Sequence, residues 1–206
     1  MTDVAEALPS PSGGARRILV INGHPDAAPQ RLCGALAAAY AKGARDAGRT
    51  VETLEIGALD FPLIRSMEDF QTSPIPPDIV AAQEAIARAD HLVIVFPIWF
   101  GGLPAKLKGF FEQLMRRGFA LTSPRNPMLS LLSGKSARLV VTMGLPAPIF
   151  HLVLGGHGLR ALERGLFWVT DVRPRRRTIL GGAVNPPRER VEGWVKRLEA
   201  LGHAGR

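Results

Sequence analysis

The chain has 206 residues, 46% of them hydrophobic and 21% charged, the balance of a globular protein with a sizeable core. No apolar run reaches the roughly 18 residues needed to span a bilayer, and the single cysteine, Cys33, excludes an intrachain disulfide and a Cys-based metal cluster, so no metal site is expected. The net charge of +8 attracts anions, but the arginines of RPRRR (173–177) and RERVEGWVKR read as a solvated edge strand and helix face, and no nucleic-acid module is present.

The opening MTDVAEALPSPSGGARR lacks the basic and apolar segments of a secretory signal. Its composition predicts a disordered lead-in over residues 1–15, then one domain over 16–206 in a reducing, cytoplasmic setting. RRILVIN (16–22) is a short β-branched strand. RLCGALAAAYAKGARDAG is a helix stopped by Gly48, with Leu32, Leu36, Ala39 and Tyr40 at helical spacing. TVETLEI (50–56) alternates like an outer strand. Residues 57–77 form a long irregular stretch, a length at which loops are functional or mobile. DIVAAQEAIARA is a helix with Asp78 as its N-cap.

HLVIVFP is a buried strand, and LPAKLKGFFEQLMRRG a helix with the stripe Leu107, Phe110, Phe111, Leu114 and Met115. SARLVVTMG is another buried strand. A helical region follows near IFHLVLGGHGLRALERG. RRRTILGG is the last strand and PPRERVEGWVKRLEALG the last helix, with proline tolerated at its start.

Alternating strands and helices with continuous apolar strands predict an α/β fold: a parallel sheet covered by helices on both faces, a three-layer sandwich. Five strands favour the order 2-1-3-4-5, and ligands of such sheets sit beyond the carboxyl ends of the strands. Three loops meet that edge.

The first loop, NGHPDAAPQRLC, leads into a helix whose free amides suit a phosphate, with His24 and Arg31 to add charge; His24 serves equally as a turn residue. The second is FPIWFGG. Pro97 ends the strand, and Trp99 and Phe100 fit a wall for a flat ring, a core or a dimer interface. The third, TMGLPAPIF, offers the Thr142 hydroxyl and amides near Gly144.

GHPD…RLCGALAAAY, FPIWFGGLPAKLKGFFEQL and TMG…GGHGLRALERG, in that order, resemble the flavodoxin-2 family of NAD(P)H:quinone oxidoreductases and their bacterial relatives, over about residues 18–182. The most specific element is the FPxWFxxxPAxLKGxFE pattern at 96–112. The resemblance implies a flavodoxin-like fold, a bound FMN or FAD, and a homodimer with sites between subunits. It also implies NAD(P)H as co-substrate and a quinone-like acceptor that takes two electrons in a ping-pong cycle.

By position, the resemblance assigns the phosphate side to His24, Arg31, Leu32 and Cys33, without the serine that relatives carry where Arg31 stands. It assigns the ring to Pro97, Ile98, Trp99 and Phe100, with Thr142, Met143, Gly144 and Leu145 along the other edge. Gly101 stands where some members keep a third aromatic. Phe150 occupies or adjoins the position of a tyrosine that helps move protons, which leaves His157 and His151 as the candidate catalytic residues. The alternative is a non-catalytic flavoprotein, such as an ancillary subunit docking to a potassium-efflux transporter through the basic C-terminal region. A phospho-receiver domain would need a carboxylate where Phe96 and Pro97 stand.

Overall fold

A computed structural model describes residues 16–28, 30–116, 119, 132–152, 155–168, 170–173 and 175–205, His151 by its backbone alone. The expected lead-in over residues 1–15 lies outside them.

Five parallel strands form one sheet in the order β2-β1-β3-β4-β5. They are β1 (Arg17–Asn22), β2 (Thr50–Glu55), β3 (His91–Pro97), β4 (Ser136–Met143) and β5 (Arg175–Gly181). The flavodoxin-like order expected from five strands is the one present.

The continuous apolar runs follow from burial on both faces. Successive strand side chains point to opposite sides. In β1, Leu19 and Ile21 enter one core, while Ile18 and Val20 enter the other. In β3, Leu92, Ile94 and Phe96 take the first face, and Val93 and Val95 the second. The first core is closed by α3 (Pro77–Arg88) and α4 (Ala105–Leu114), the second by α1 (Leu32–Asp46) and α7 (Arg188–His203). The α4 stripe is buried at Leu107, Phe110, Phe111 and Leu114, with Met115 partly so.

Two local readings are corrected. Asp78 does not cap α3: the helix starts at Pro77 after Pro76, and the Asp78 carboxylate accepts the Asp60 amide at 2.6 Å. The long stretch after β2 is not wholly irregular. It holds a short 3-10 turn (Ile56–Ala58) and α2 (Met67–Gln71), capped by the Ser66 hydroxyl, which accepts the Asp69 amide. The region after β4 forms α5 (Ala147–Leu152) and α6 (His157–Leu162), and a π-helical turn (Glu163–Trp168) extends α6. No helix among the described residues is long and apolar enough to cross a membrane.

Candidate functional site

The loops after β1, β3 and β4 meet at the carboxyl edge of the sheet because their strands are neighbours there. Pro97 pairs with Thr142 across the β3–β4 ladder, and the Ile98 amide donates to the Thr142 carbonyl at 2.8 Å. The edge rings of His24 and Trp99 meet at 5.8 Å, nearly perpendicular. Cys33 Sγ lies 3.5 Å from Thr142 Oγ1, joining the start of α1 to the end of β4.

FPIWFGG forms a tight turn. Trp99 and Gly102 exchange two backbone hydrogen bonds, each 3.0 Å. Phe100 (φ 49°) and Gly101 (φ 80°) both have positive φ, as a type I′ turn requires. Asparagine or glycine is the usual choice at the first of these positions. An aromatic there costs about 1–2 kcal/mol of backbone strain. Burial does not repay it: Phe100 is fully exposed and Trp99 46% exposed. The strained turn therefore displays flat apolar surface at the sheet edge.

Below this turn lies a depression of about 490 Å³, lined by Pro97, Ile98, Trp99, Phe100, Thr142, Met143 and Gly144, with Ala183 and Val184. All four expected residues of the second loop are brought together with three of the four from the third. Leu145 is half-exposed beside it, and its carbonyl accepts the Gly182 amide. Ala183 and Val184 were missed by the sequence reading. The structure explains their place: β5 ends level with β4, Met143 against Gly181, so the loop after β5 reaches the same edge.

Thr142 differs from expectation in detail. It is buried, and its hydroxyl lies against the Cys33 thiol. The polar groups left for a ligand at that edge are backbone amides. Burial pushes the Cys33 thiol up to about 11, partly offset by the Thr142 hydrogen bond. The thiol stays protonated at neutral pH.

In the first loop His24 Nδ1 lies 3.0 Å from both the amide nitrogen and the carbonyl oxygen of Asp26, which fixes the ring against its own turn. Arg31 is exposed and paired with Asp26 through Nε (2.6 Å) and Nη2 (2.5 Å). The Ala28 amide, and then Arg31, hold the Asp26 carboxyl below its usual range. An anion here meets a guanidinium with one nitrogen left over. Arg31 also precedes α1 without a side-chain cap, which leaves first-turn amides for a ligand. Leu32 and Cys33 turn their side chains into the core, so only their backbones face the loop.

His157 opens α6 and is exposed. Its neighbour Gly158 fixes its place. A Cβ at Gly158 would fall 2.0 Å from the Gly101 carbonyl oxygen, so only glycine allows α6 to press on the aromatic turn. His157 thus stands beside that turn. Phe150 is buried, 1% exposed, and offers no hydroxyl. The side chain of His151 lies outside the described residues. Among the described residues no three His, Cys, Asp or Glu side chains group as a metal site.

A flat apolar wall, backbone amides along one edge and an uncapped helix start fit a flavin ring and its phosphate. This sheet order, with its loops gathered at the carboxyl edge, defines the flavodoxin-like class. The chain belongs to the flavodoxin-2 family, whose model, a flavodoxin-like fold, matches residues 16–201. It is similar to NAD(P)H dehydrogenase (quinone) 1 of Rattus norvegicus, 31% identical over 152 residues, covering 68% of this chain and 54% of that protein. An FMN-dependent NADH:quinone oxidoreductase of Ruegeria pomeroyi is 28% identical over 159 residues, covering 70% and 72%. Among solved structures, the NAD(P)H:quinone oxidoreductase of Methanothermobacter marburgensis has a TM-score of 0.72 at 23% identity, covering 94% of this chain and 100% of that one. The chain spans 51–63% of the length of the first three curated relatives it matches.

Proposed function

We propose that this chain is a flavin-dependent NAD(P)H oxidoreductase that reduces quinones or related acceptors by two electrons, in two half-reactions sharing one slot. The observation that carries this reading is the strained aromatic turn held open over the depression, with the loops after β1, β3, β4 and β5 around it. The names of the relatives favour FMN over FAD.

Bound there, FMN supplies the hydride chemistry. The protein's part is placement and electrostatics. Pro97, Ile98 and Trp99 form one wall for the ring. The amides near Gly144 would stabilise the negative charge that a bound flavin gains on reduction. First-turn amides of α1, with Arg31 and His24 beside them, hold the phosphate. Phe100 covers the slot into which nicotinamide and acceptor enter in turn, both as flat rings. His157, at the rim, donates a proton to the reduced acceptor.

The proposal includes a cytoplasmic homodimer. It is supported by an apolar groove of about 800 Å³ whose lining includes Ile64, Met67, Phe70, Leu103, Phe111 and Leu166, with Met67 68% exposed. Sedimentation velocity reads the oligomeric state. A second reading, a flavoprotein that binds without turnover, is favoured by Phe150, which lies in the core where a proton-moving tyrosine is wanted. Anaerobic NADPH added to the FMN-loaded protein separates the two. Bleaching of the visible bands, and their return with a quinone, supports the enzyme. Bound flavin that NADPH leaves yellow supports the second reading.

A further inference from the structure

A second hollow lies at the amino-terminal half of β5, away from the aromatic turn. It has a volume of about 640 Å³ and is lined by Glu163, Arg164, Trp168, Arg175 and Arg177. Its shape depends on the π-helical turn Glu163–Trp168. In an α-helix, residues i and i+5 point about 140° apart. The i→i+5 bonding of a π-turn brings them toward one face, and both Glu163 and Trp168 line this hollow. Such turns are rare and recur at functional sites.

The charges in the hollow do not cancel. Both carboxylate oxygens of Glu163 accept from the Arg177 guanidinium, and its backbone carbonyl accepts from Arg175 Nη1 at 3.0 Å. The one carboxylate in the lining is therefore spent. Arg164 has no hydrogen bond or ion pair among the described residues, Arg175 keeps unspent donors, and Trp168 is 53% exposed. What remains is guanidinium donors beside one aromatic face. The complement is an anion carried on a flat ring.

The hollow is separate from the first site. Arg177 pairs with Leu139 in the lower part of β4. Four residues of strand at about 3.3 Å each, roughly 13 Å, separate Arg177 from the end of β5 at Gly181. Both sites can be filled at once.

We propose that this hollow binds a nucleoside phosphate, with the base stacked on Trp168 and the phosphate held by Arg164 and Arg175. Stacking on an exposed tryptophan tolerates any base, while guanidinium donors require the charge.

The test is calorimetric titration of adenosine 5′-monophosphate into the full chain carrying one equivalent of FMN with no excess free, so that the first site is filled and the hollow is left open. The expected result is saturable binding that Arg164→Ala and Trp168→Ala each weaken by about ten-fold, and that Lys196→Ala, on exposed α7, leaves unchanged. Adenosine and inorganic phosphate, given separately, bind at least about ten-fold more weakly, since each fills half the hollow. Salicylate distinguishes an aromatic carboxylate from a nucleotide, and tighter binding of salicylate overturns the nucleotide assignment. No saturable heat at millimolar nucleotide, or equal weakening by Lys196→Ala from a diffuse positive field, overturns the site. Far-ultraviolet circular dichroism confirms that both variants fold. Quenching of Trp168 by the nucleotide, in protein carrying Trp99→Phe and Trp194→Phe, gives a reading independent of heat.

Discussion

The two ends of β3 treat their side chains in opposite ways. At the amino end polar groups are hidden. His91 is 2% exposed, its Nδ1 lies 2.8 Å from Ser136 Oγ, and its ring is 6.5 Å from that of buried Tyr40. Arg16 donates to Ser136 and to the Gly205 carbonyl, and Arg49 to the His203 carbonyl, so this end is tied to the end of α7 and the residues just after it. At the carboxyl end apolar groups are displayed, Trp99 and Phe100 above all. Most of these enclosed polar groups have partners, as a stable interior requires, although His91 Nε2 is buried without one among the described residues. Displayed aromatics on a strained turn meet no such requirement. The amino end of the strand ties the fold together, and the carboxyl end gives up stability to display aromatic surface.

The largest expected effect breaks the carboxyl end alone. Trp99→Ala with Phe100→Ala should lower kcat/KM for NADPH oxidation by about 100-fold, while urea unfolding shifts by less than about 0.5 kcal/mol, as exposed positions do. A large loss of stability would make the turn part of the core and undo the contrast.

The next effect belongs to the amino end. Burial, helped by Arg16 and Arg138, lowers the His91 pKa from 6.5 to about 3. The unfolded chain therefore takes up this proton first. The stability is fully present above pH 6.5 and is lost as the pH falls toward 3. By pH 5 the loss is about 2 kcal/mol, near 30-fold in the folding equilibrium. Urea midpoints between pH 7 and 5 should show this slope in the natural chain, and His91→Gln should flatten it. Turnover at pH 7 should not change with that variant.

Gly158→Ala sharpens the comparison from outside β3. The added methyl must push on the Gly101 carbonyl and tilt the aromatic turn. We expect KM for the acceptor to rise about ten-fold with flavin still bound, read by steady-state kinetics beside the visible spectrum. The smallest effect is that of His157→Gln. It should slow the acceptor half-reaction by about five-fold and leave the NADPH half-reaction alone, as stopped-flow absorbance resolves.

The fold was legible because burial on both faces writes itself as uninterrupted apolar strands, HLVIV and ARLVV, separated by helical stripes such as Leu107, Phe110, Phe111 and Leu114. The gathering of three loops followed from strand order. What the sequence hid was set by contacts distant along the chain. Thr142 turns its hydroxyl to Cys33, 109 residues away. Asp26 claims Arg31. Asp78 reaches back to Asp60 rather than capping its own helix. Val184 is a small apolar residue in a loop and carries no mark of a site. The Gly101–Gly158 contact explains why GGHG needs its last glycine, but only once both segments are side by side.

The measurement that bears most directly on the central claim is the titration of FMN into the purified chain and into its Trp99→Ala, Phe100→Ala variant, followed by quenching of flavin fluorescence. One FMN per chain, strongly quenched in the natural protein and bound at least about ten-fold more weakly by the variant, is the predicted result. Absence of binding, or equal binding by both, would mean that the displayed turn serves something other than a flavin.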